Sequence, residues 1–279
     1  MITGPLLSKV PTDRRTWLKR SLYASVAGVA GYATIFEREN LQVEKAERFV
    51  KGPAFSHLDG LKIAVLADFH YDDFGDAGLV RRAVRKTNEL GPDVVILPGD
   101  FISRDWQVTT ELAEILADLR ASRGIFGMLG NHDFSAGAKK LTQTLEDAGI
   151  RMLRGEITEF DDFAVAGLDS LMRANPDPAV IGNTNLPVLL GWHEPDSFDL
   201  VRRADNLLLQ VSGHTHGGQV CAPGFGPIYL PPYGRKYVEG LYDSNGSALF
   251  VTRGVGAMGI PVRFACPPEV SLITIRAQS

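Results

Sequence analysis

The sequence predicts an α/β fold, a sandwich of two packed sheets flanked by helices. Two observations lead to this prediction. From residue 61 onward strand patterns alternate with helix patterns, as expected for parallel strands joined through helices. After residue 217 the chain becomes rich in glycine, proline and aromatic residues and carries further strand patterns. A chain of 279 residues is long enough to bury a sizeable core in one or two domains.

The first part of the predicted core consists of strands that alternate with helices. Residues 61–67 are a near-continuous apolar run, which is typical of a strand buried on both faces. Residues 79–90 carry apolar side chains at helical spacing and are followed by Gly91 and Pro92, which end helices. The same patterns predict strands over 93–98 and 124–129 and helices over 109–119 and 138–148.

The second part of the chain is predicted to supply more strands than helices. A hairpin is expected around Asn245 and Gly246, because this dipeptide favours a tight turn between two strands. An edge strand is also expected near residues 41–43. The remaining predictions are a helix over 197–204 and strands over 163–168, 186–190, 207–211, 241–242, 248–252 and 270–275.

Composition is that of a soluble globular protein, with 44% apolar and 22% charged residues. The formal net charge of −4 gives no basic surface of the kind that binds nucleic acid, so no nucleic-acid partner is expected. The two cysteines, Cys221 and Cys266, are too few for a disulfide framework. They are either one disulfide in an oxidising compartment or two small buried apolar residues.

The N-terminal segment has the pattern of a targeting signal rather than of a folded element. Basic residues dominate its first twenty positions, and an uncharged stretch of 16 residues follows over 21–36. That stretch is short and diluted by glycine and serine, which makes it weak as a spanning helix. Residues 12–19, with Arg14 and Arg15, resemble a twin-arginine export motif. We therefore expect a signal or membrane anchor over 1–36, a spacer with an edge strand over 37–60, and the functional domain over 61–279.

Side chains that bind metals are concentrated just after the predicted strands. Five of the six histidines lie there, each within three residues of Asp, Asn or another His. In largely parallel sheets the carboxyl ends of the strands share one rim, so we expect these side chains to meet. The set is Asp68, His70, Asp100, Asn131, His132, Asp133, His193, His214 and His216.

Each of these positions also has an ordinary structural explanation. Asp100 follows Gly99 and suits a simple turn, and Asn131 and Asp133 suit the cap of a following helix. His193 alone would be a hydrogen-bonded structural histidine. The combination of all of them at strand ends, however, favours a metal site with hydrolytic chemistry.

The order Asp-x-His, Gly-Asp, Gly-Asn-His-Asp, His and Gly-His-x-His resembles the signature of calcineurin-like metallophosphoesterases. The similarity extends over residues 61–276, and residues 213–219 and 253–269 add to it. Within that superfamily the chain resembles the exported or membrane-associated phosphodiesterases. The resemblance implies a four-layer α/β/β/α sandwich of two mixed sheets, with 61–279 as the phosphoesterase domain.

The resemblance also implies two divalent metal ions. One would be held by Asp68, His70 and His216, and the other by Asn131, His193 and His214, with Asp100 between both. Carboxylate and imidazole ligands without cysteine favour manganese, with iron, zinc or magnesium as alternatives.

The family mechanism implies attack of a metal-bridging hydroxide on the phosphorus atom. His132 would protonate the leaving oxygen, and Asp133 would orient the ring of His132.

The expected activity is hydrolysis of a phosphodiester or pyrophosphate at the cell envelope. The protein would be exported through the twin-arginine machinery or anchored to the inner membrane by its N-terminal segment, and its substrate could be lipid-linked. One alternative is a UDP-2,3-diacylglucosamine pyrophosphohydrolase of lipid A biosynthesis at the cytoplasmic face. A non-catalytic scaffold is the less favoured alternative, because His132 is intact.

Two further sequence features bear on function. Gly254, Gly256 and Gly259 fit a dinucleotide-binding pattern, but Pro261 follows and no acidic residue lies about 20 positions on, so a glycine loop near the metal rim is expected. A group of basic residues could contact substrate phosphate or be ordinary surface charge; these are Arg235, Lys236 and Arg253.

Overall fold

Two six-stranded sheets form the centre of the computed structural model, which describes residues 13–74, 76–244 and 246–278. The first sheet has the strand order β1-β14-β2-β3-β4-β5. Strands β2, β3, β4 and β5 are parallel to one another, while β14 is antiparallel to β2. The strands of this first sheet are β1 (Gln42–Lys51), β2 (Lys62–Val65), β3 (Val94–Leu97), β4 (Ile125–Gly127), β5 (Arg151–Met152) and β14 (Glu269–Gln278).

The second sheet has the order β12-β13-β9-β8-β7-β6, in which the four strands from β13 to β7 are parallel and the two edge strands are antiparallel. Its members are β6 (Glu156–Glu159), β7 (Ala164–Leu168), β8 (Val188–Trp192), β9 (Leu207–Ser212), β12 (Gly240–Ser244) and β13 (Ser247–Val251). A short separate ribbon consists of β10 (Cys221–Ala222) and β11 (Gly226–Pro227).

Helices flank the sheets, which confirms the predicted α/β fold of two mixed sheets between helices. The helices are α1 (Arg14–Gly31), α2 (Ala77–Leu90), α3 (Thr109–Leu116), α4 (Asn131–Asp147) and α5 (Phe198–Val201). Helices α2, α3 and α4 share one apolar cluster with the first sheet, and α5 shares another with the second sheet. The start of α2 is fixed by Asp76, whose carboxylate accepts the amides of Gly78 and Leu79.

A third apolar cluster lies between the two sheets and holds them together. Alternate residues of the central strands point into it, because successive side chains of a strand point to opposite faces. Fully buried members include Val65, Ile96, Met128, Val165, Leu189, Val211 and Ile273. This packing fixes the relative position of the strand ends, and therefore of the loops that carry the metal-type side chains.

Most elements lie where the sequence predicts them, but two helices differ. Helix α4 begins at Asn131 rather than near residue 138, and Gly137, with φ 128°, interrupts it. The predicted helix corresponds to the part after this glycine, and the part before it carries the metal-type residues. Helix α5 spans only Phe198–Val201, shorter than the predicted 197–204.

The N-terminal region contains α1 and, after it, a short π-helical turn over Tyr32–Phe36. None of the residues of α1 is buried. Across 13–74, 76–244 and 246–278, no helix combines the length and the apolar character needed to span a membrane. Residues 1–12, which include the start of the twin-arginine-like motif, lie outside the described residues, as does the predicted turn residue Asn245.

Candidate metal centre

Six of the seven predicted metal ligands form two buried clusters. One cluster contains Asp68, His70 and His216, and the other contains Asp100, His193 and His214. Within each cluster the potential ligand atoms lie within 4.8 Å of one another. Three side chains that converge in this way can enclose one divalent cation.

Asp100 lies between the two clusters. Its Oδ2 atom is 3.5 Å from Nε2 of His70 and 3.2 Å from Nε2 of His193. One carboxylate oxygen therefore approaches a ligand nitrogen of each cluster. This is the position that a bridging ligand requires.

The seventh predicted ligand, Asn131, tests whether the site suits a metal. Its Oδ1 atom is buried and has no hydrogen-bond partner among the described residues. Such an orphaned atom costs about 1–3 kcal/mol, so native proteins rarely leave one. A divalent cation would satisfy it. The side chains present therefore fit the metal centre that the resemblance implies.

Backbone and hydroxyl oxygens fix the orientation of three histidine rings. Nδ1 of His193 lies 2.7 Å from the carbonyl of Pro98, so this nitrogen donates and Nε2 is turned toward Asp100. Nε2 of His214 lies 2.8 Å from the carbonyl of Pro232, which leaves Nδ1 free instead. Nδ1 of His70 is 2.8 Å from the Ser103 hydroxyl. Supports of this kind typically orient metal-binding histidines.

The fourth histidine has a different support, Arg263. Nη2 of this fully buried guanidinium lies 3.5 Å from Nδ1 of His216. The same group donates to the carbonyls of Arg253 and Gly256, which fixes the loop beside the metal centre. Arg263 lies within residues 253–269, which add to the family resemblance, but its burial is not expected from sequence because arginine is mostly exposed in proteins.

Burial favours the neutral form of three of the four cluster histidines. It lowers the pKa of His70 to about 4, and it also lowers the pKa of His214 and of His216. Neutral imidazoles offer lone pairs to a metal without first losing a charge.

His193 and the carboxylates of Asp100 and Asp68 shift one another's pKa values. Burial would lower the pKa of His193, but the contact with Asp100 and the charges of Asp100, Asp68 and Glu194 together outweigh it and raise this pKa to about 10. Burial would likewise raise the pKa of Asp100, but His193 holds that pKa below its usual range. For Asp68, burial dominates and raises the pKa. Asp100 thus stabilises the protonated form of His193.

The backbone at the ligands is strained. Positive φ angles are uncommon for residues other than glycine and persist where the surrounding structure enforces them, often at functional sites. Five of the seven predicted ligands have them: Asp68 (55°), His70 (42°), Asp100 (53°), His214 (72°) and His216 (52°).

Glycines allow the ligand loops to approach one another closely. A Cβ atom on Gly130 would lie 2.2 Å from Oδ1 of Asp100, and one on Gly213 would lie 2.5 Å from Oδ2 of Asp68. No real Cβ atom tolerates such contacts. The glycine that precedes each of these two histidine motifs is therefore required by the geometry of the site.

His132 lies beside the clusters, but Asp133 does not act on it as expected. The ring centroid of His132 is 5.0 Å from that of His70. The carboxylate of Asp133 accepts the amides of Asp100, Ile102 and Gly130 at 2.8–3.2 Å, rather than contacting the ring of His132. Asp133 thus caps α4 and holds the Asp100 loop, and is a positioning residue rather than an orienting partner of His132.

Two of the basic residues considered for substrate phosphate are paired with acids. Nε of Arg253 is 2.6 Å from Glu269, and Nζ of Lys236 is 2.7 Å from Asp199. For Arg235 the structure shows only that its amide donates to Asp196. These contacts favour ordinary structural roles.

The glycine loop lies where it was expected, against the metal centre. A Cβ atom on Gly254 would be 2.7 Å from Cβ of Asp68, and one on Gly256 would be 2.0 Å from the carbonyl oxygen of Phe69. The two cysteines, both in the described part of the chain, are free thiols, and Cys266 is buried.

Comparison with known proteins identifies the family of this chain. A family model described as calcineurin-like phosphoesterase matches residues 61–218. The metallophosphoesterase YkuE of Bacillus subtilis is 31% identical over 283 residues, which cover 95% of this chain and 98% of that protein. The phosphodiesterase YaeI of Escherichia coli is 32% identical over 222 residues, which cover 77% of this chain and 82% of YaeI. The UDP-2,3-diacylglucosamine pyrophosphatase LpxG of Chlamydia trachomatis is 24% identical over 282 residues, which cover 78% of this chain and 84% of LpxG.

Proposed function

This chain belongs to the calcineurin-like phosphoesterase family of phosphoester hydrolases, which typically bind two divalent metals, and we propose that it hydrolyses phosphodiesters. The observation that carries the proposal is the convergence of six ligand-type side chains in two buried clusters, with Oδ2 of Asp100 near a histidine nitrogen of each.

We assign Asp68, His70 and His216 to one metal ion and Asn131, His193 and His214 to the other, with Asp100 contacting both. When bound, such a pair of ions supplies Lewis acidity to the phosphoryl group and makes a water molecule more acidic. The donors are carboxylate, imidazole and amide, with no thiolate, which favours manganese over iron, zinc or magnesium. The role of the protein is to hold these donors rigidly, through the ring supports at Pro98, Pro232 and Ser103.

His132 is assigned as the proton donor to the leaving oxygen. It is half-buried at the start of α4 and beside the His70 ring, yet it belongs to neither ligand cluster. Its amide donates to Oδ1 of Asp100 at 2.9 Å, which fixes its backbone relative to the centre. A positioned general acid typically contributes about 10²–10⁴-fold to a rate.

The preference for diesters is supported by YaeI, whose name is that of a phosphodiesterase. A second candidate substrate is the pyrophosphate of UDP-2,3-diacylglucosamine, because LpxG is named as the pyrophosphatase of that compound and matches over most of its length.

We place the protein at the cell envelope, exported or anchored through its N-terminal segment. The supporting feature is α1, which combines the basic residues Arg14, Arg15, Lys19 and Arg20 with exposed apolar side chains. Its most exposed apolar side chains are Trp17, Leu22 and Tyr23. A reporter fused after Ser279 would test the location, since activity on the cytoplasmic side alone would contradict export.

A substrate and metal panel tests the proposed activity. The purified protein is assayed with bis-p-nitrophenyl phosphate, p-nitrophenyl phosphate and UDP-2,3-diacylglucosamine, each with Mn²⁺, Mg²⁺, Zn²⁺ or a chelator. We expect hydrolysis of the diester with Mn²⁺ and its loss with chelator. Cleavage of UDP-2,3-diacylglucosamine alone would favour the second candidate, and no hydrolysis under any condition would contradict the proposal.

A further inference from the structure

An apolar cavity of about 310 Å³ opens directly beside the metal centre. Two of the proposed ligands, His214 and His216, form part of its lining. The rest of its wall is mainly apolar and includes Val220, Ile228, Tyr229, Pro231, Met258 and Ile260. We propose that this cavity binds a hydrocarbon chain carried by the phosphoester substrate, an inference that rests on the proposed phosphodiester hydrolysis.

Three of the polar side chains in the cavity wall, those of Thr215, His214 and Gln219, are already bonded within the protein. The hydroxyl of Thr215 donates to the carbonyl of Val238, and Nε2 of His214 is bonded to the carbonyl of Pro232. The side-chain amide of Gln219 donates to the Met258 carbonyl and accepts from the Met258 amide. A nucleobase or a sugar would need free donors and acceptors to be recognised, whereas an aliphatic chain needs only apolar surface.

The cavity is preformed. Gln219 joins one wall to the loop of Met258 and Ile260, with bonds of 2.9–3.3 Å. On the opposite side, the amide of Ile228 donates to the carbonyl of Val220 at 3.0 Å. A preformed cavity spends little binding free energy on ordering its own walls when a ligand enters.

Apolar side chains also surround the entrance. Ile228 is 71% exposed, Tyr229 is 63% exposed and Ile260 is 52% exposed, and Phe225 at the tip of the neighbouring ribbon is 93% exposed. Single exposed apolar residues are common, but a cluster of large ones beside a polar centre marks a binding surface. Among the described residues, none of those that line the cavity is Asp, Glu, Lys or Arg.

The position of the cavity identifies its ligand as part of the substrate. Because the cavity shares His214 and His216 with the metal centre, a chain that fills it lies next to the place where the phosphoryl group must bind. The matching chemical class is an alkyl or acyl phosphoester, in which a polar phosphate adjoins a hydrocarbon chain.

The test is a series of alkyl p-nitrophenyl phosphates, from ethyl through butyl and hexyl to octyl, all below their micelle concentrations and with Mn²⁺ present. Burying one methylene improves binding by roughly three- to fourfold. Because burial will be incomplete, we expect kcat/KM to rise on the order of a hundredfold from ethyl to octyl. If kcat/KM is flat or falls along the series, the inference is overturned although the diesterase activity stands. If no member is hydrolysed, the proposed function itself fails.

A pair of variants locates the effect. The double variant Ile228→Gln and Ile260→Gln replaces two exposed wall residues, so the fold should tolerate it, and we expect the octyl-to-ethyl ratio of kcat/KM to fall roughly tenfold. Leu200→Gln is the matched control, because Leu200 is 59% exposed and does not line the cavity. Equal ratios in all three proteins would overturn the assignment to this cavity.

Binding gives a readout that does not depend on turnover. Octylphosphonate, which the enzyme cannot hydrolyse, should bind more tightly than ethylphosphonate in isothermal titration calorimetry. The double variant should lose most of this difference, whereas Leu200→Gln should keep it. Equal affinity of the two phosphonates for the unmodified protein would contradict the inference.

Discussion

The Nε2 atoms of His70 and His216 face each other at 3.0 Å, and their rings are stacked with centroids 4.9 Å apart. The guanidinium of Arg263, near Nδ1 of His216, can only donate, so Nδ1 accepts and Nε2 carries the proton. One proton therefore lies between the two histidines, and a metal ion held by both nitrogens would displace it.

Metal binding should therefore release protons. Besides the proton shared by His70 and His216, His193 holds one, because Asp100 and Asp68 outweigh burial and raise its pKa to about 10. Burial raises the pKa of Asp68 as well. Since protons compete with the metal at these atoms, the apparent metal affinity should rise as pH increases. Calorimetry of Mn²⁺ binding in two buffers of different ionisation enthalpy measures the release, and an enthalpy that does not depend on the buffer would contradict it.

His132→Ala should slow the reaction without removing metal. The ring belongs to neither ligand cluster, and loss of a general acid lowers kcat by about 10²–10⁴-fold. The loss should be smaller for a substrate whose leaving group needs no proton, so p-nitrophenyl and alkyl leaving groups are compared. Metal analysis accompanies the kinetics, and a metal-free variant would contradict the assigned role.

Asp133→Asn should destabilise the fold around Asp100. The buried carboxylate accepts three backbone amides, and an amide side chain leaves at least one of them without a partner. An unsatisfied buried donor costs about 1–3 kcal/mol, which a urea denaturation curve resolves. Asp147→Asn is the control, because Asp147 is exposed in the same helix. Equal midpoints for the two variants would disprove the positioning role.

Gly213→Ala should disturb the first ligand cluster. The added Cβ would lie 2.5 Å from Oδ2 of Asp68 and 2.8 Å from Cβ of Ala67. Overpacking of this kind typically costs about 1–3 kcal/mol and should also displace the Asp68 carboxylate. Gly182→Ala is the matched control, since its Cβ would meet nothing within 4 Å. Unchanged stability and metal content in Gly213→Ala would show that the close approach is not required.

The sequence predicts the central strands and helices because their apolar periodicity is strong. The strands β5, β6, β10 and β11 escaped prediction, since they are two to four residues long and leave almost no pattern. Helix α4 begins early because its first turn is stabilised by Asp133 rather than by apolar spacing.

The ligand set was also apparent from sequence, because ligands at the ends of parallel strands meet at one rim. The hydrogen-bond partners that orient those ligands cannot be read from the sequence. Pro98 and Pro232 contribute backbone carbonyls, which every residue possesses, so only the tertiary structure shows which of them a histidine meets. The contacts of Asp133 are hidden from the sequence for the same reason, since its carboxylate accepts backbone amides instead of contacting the expected partner, the ring of His132.

The most direct measurement of the central claim is the number of metal ions per chain. The protein is saturated with Mn²⁺, freed of excess metal by gel filtration and analysed for metal content by inductively coupled plasma mass spectrometry. We expect two ions per chain, and fewer for Asp100→Asn, because Oδ2 of Asp100 approaches both clusters. Retention of one ion or none by the unmodified protein, with Mn²⁺ and with each alternative metal, would contradict the paired centre.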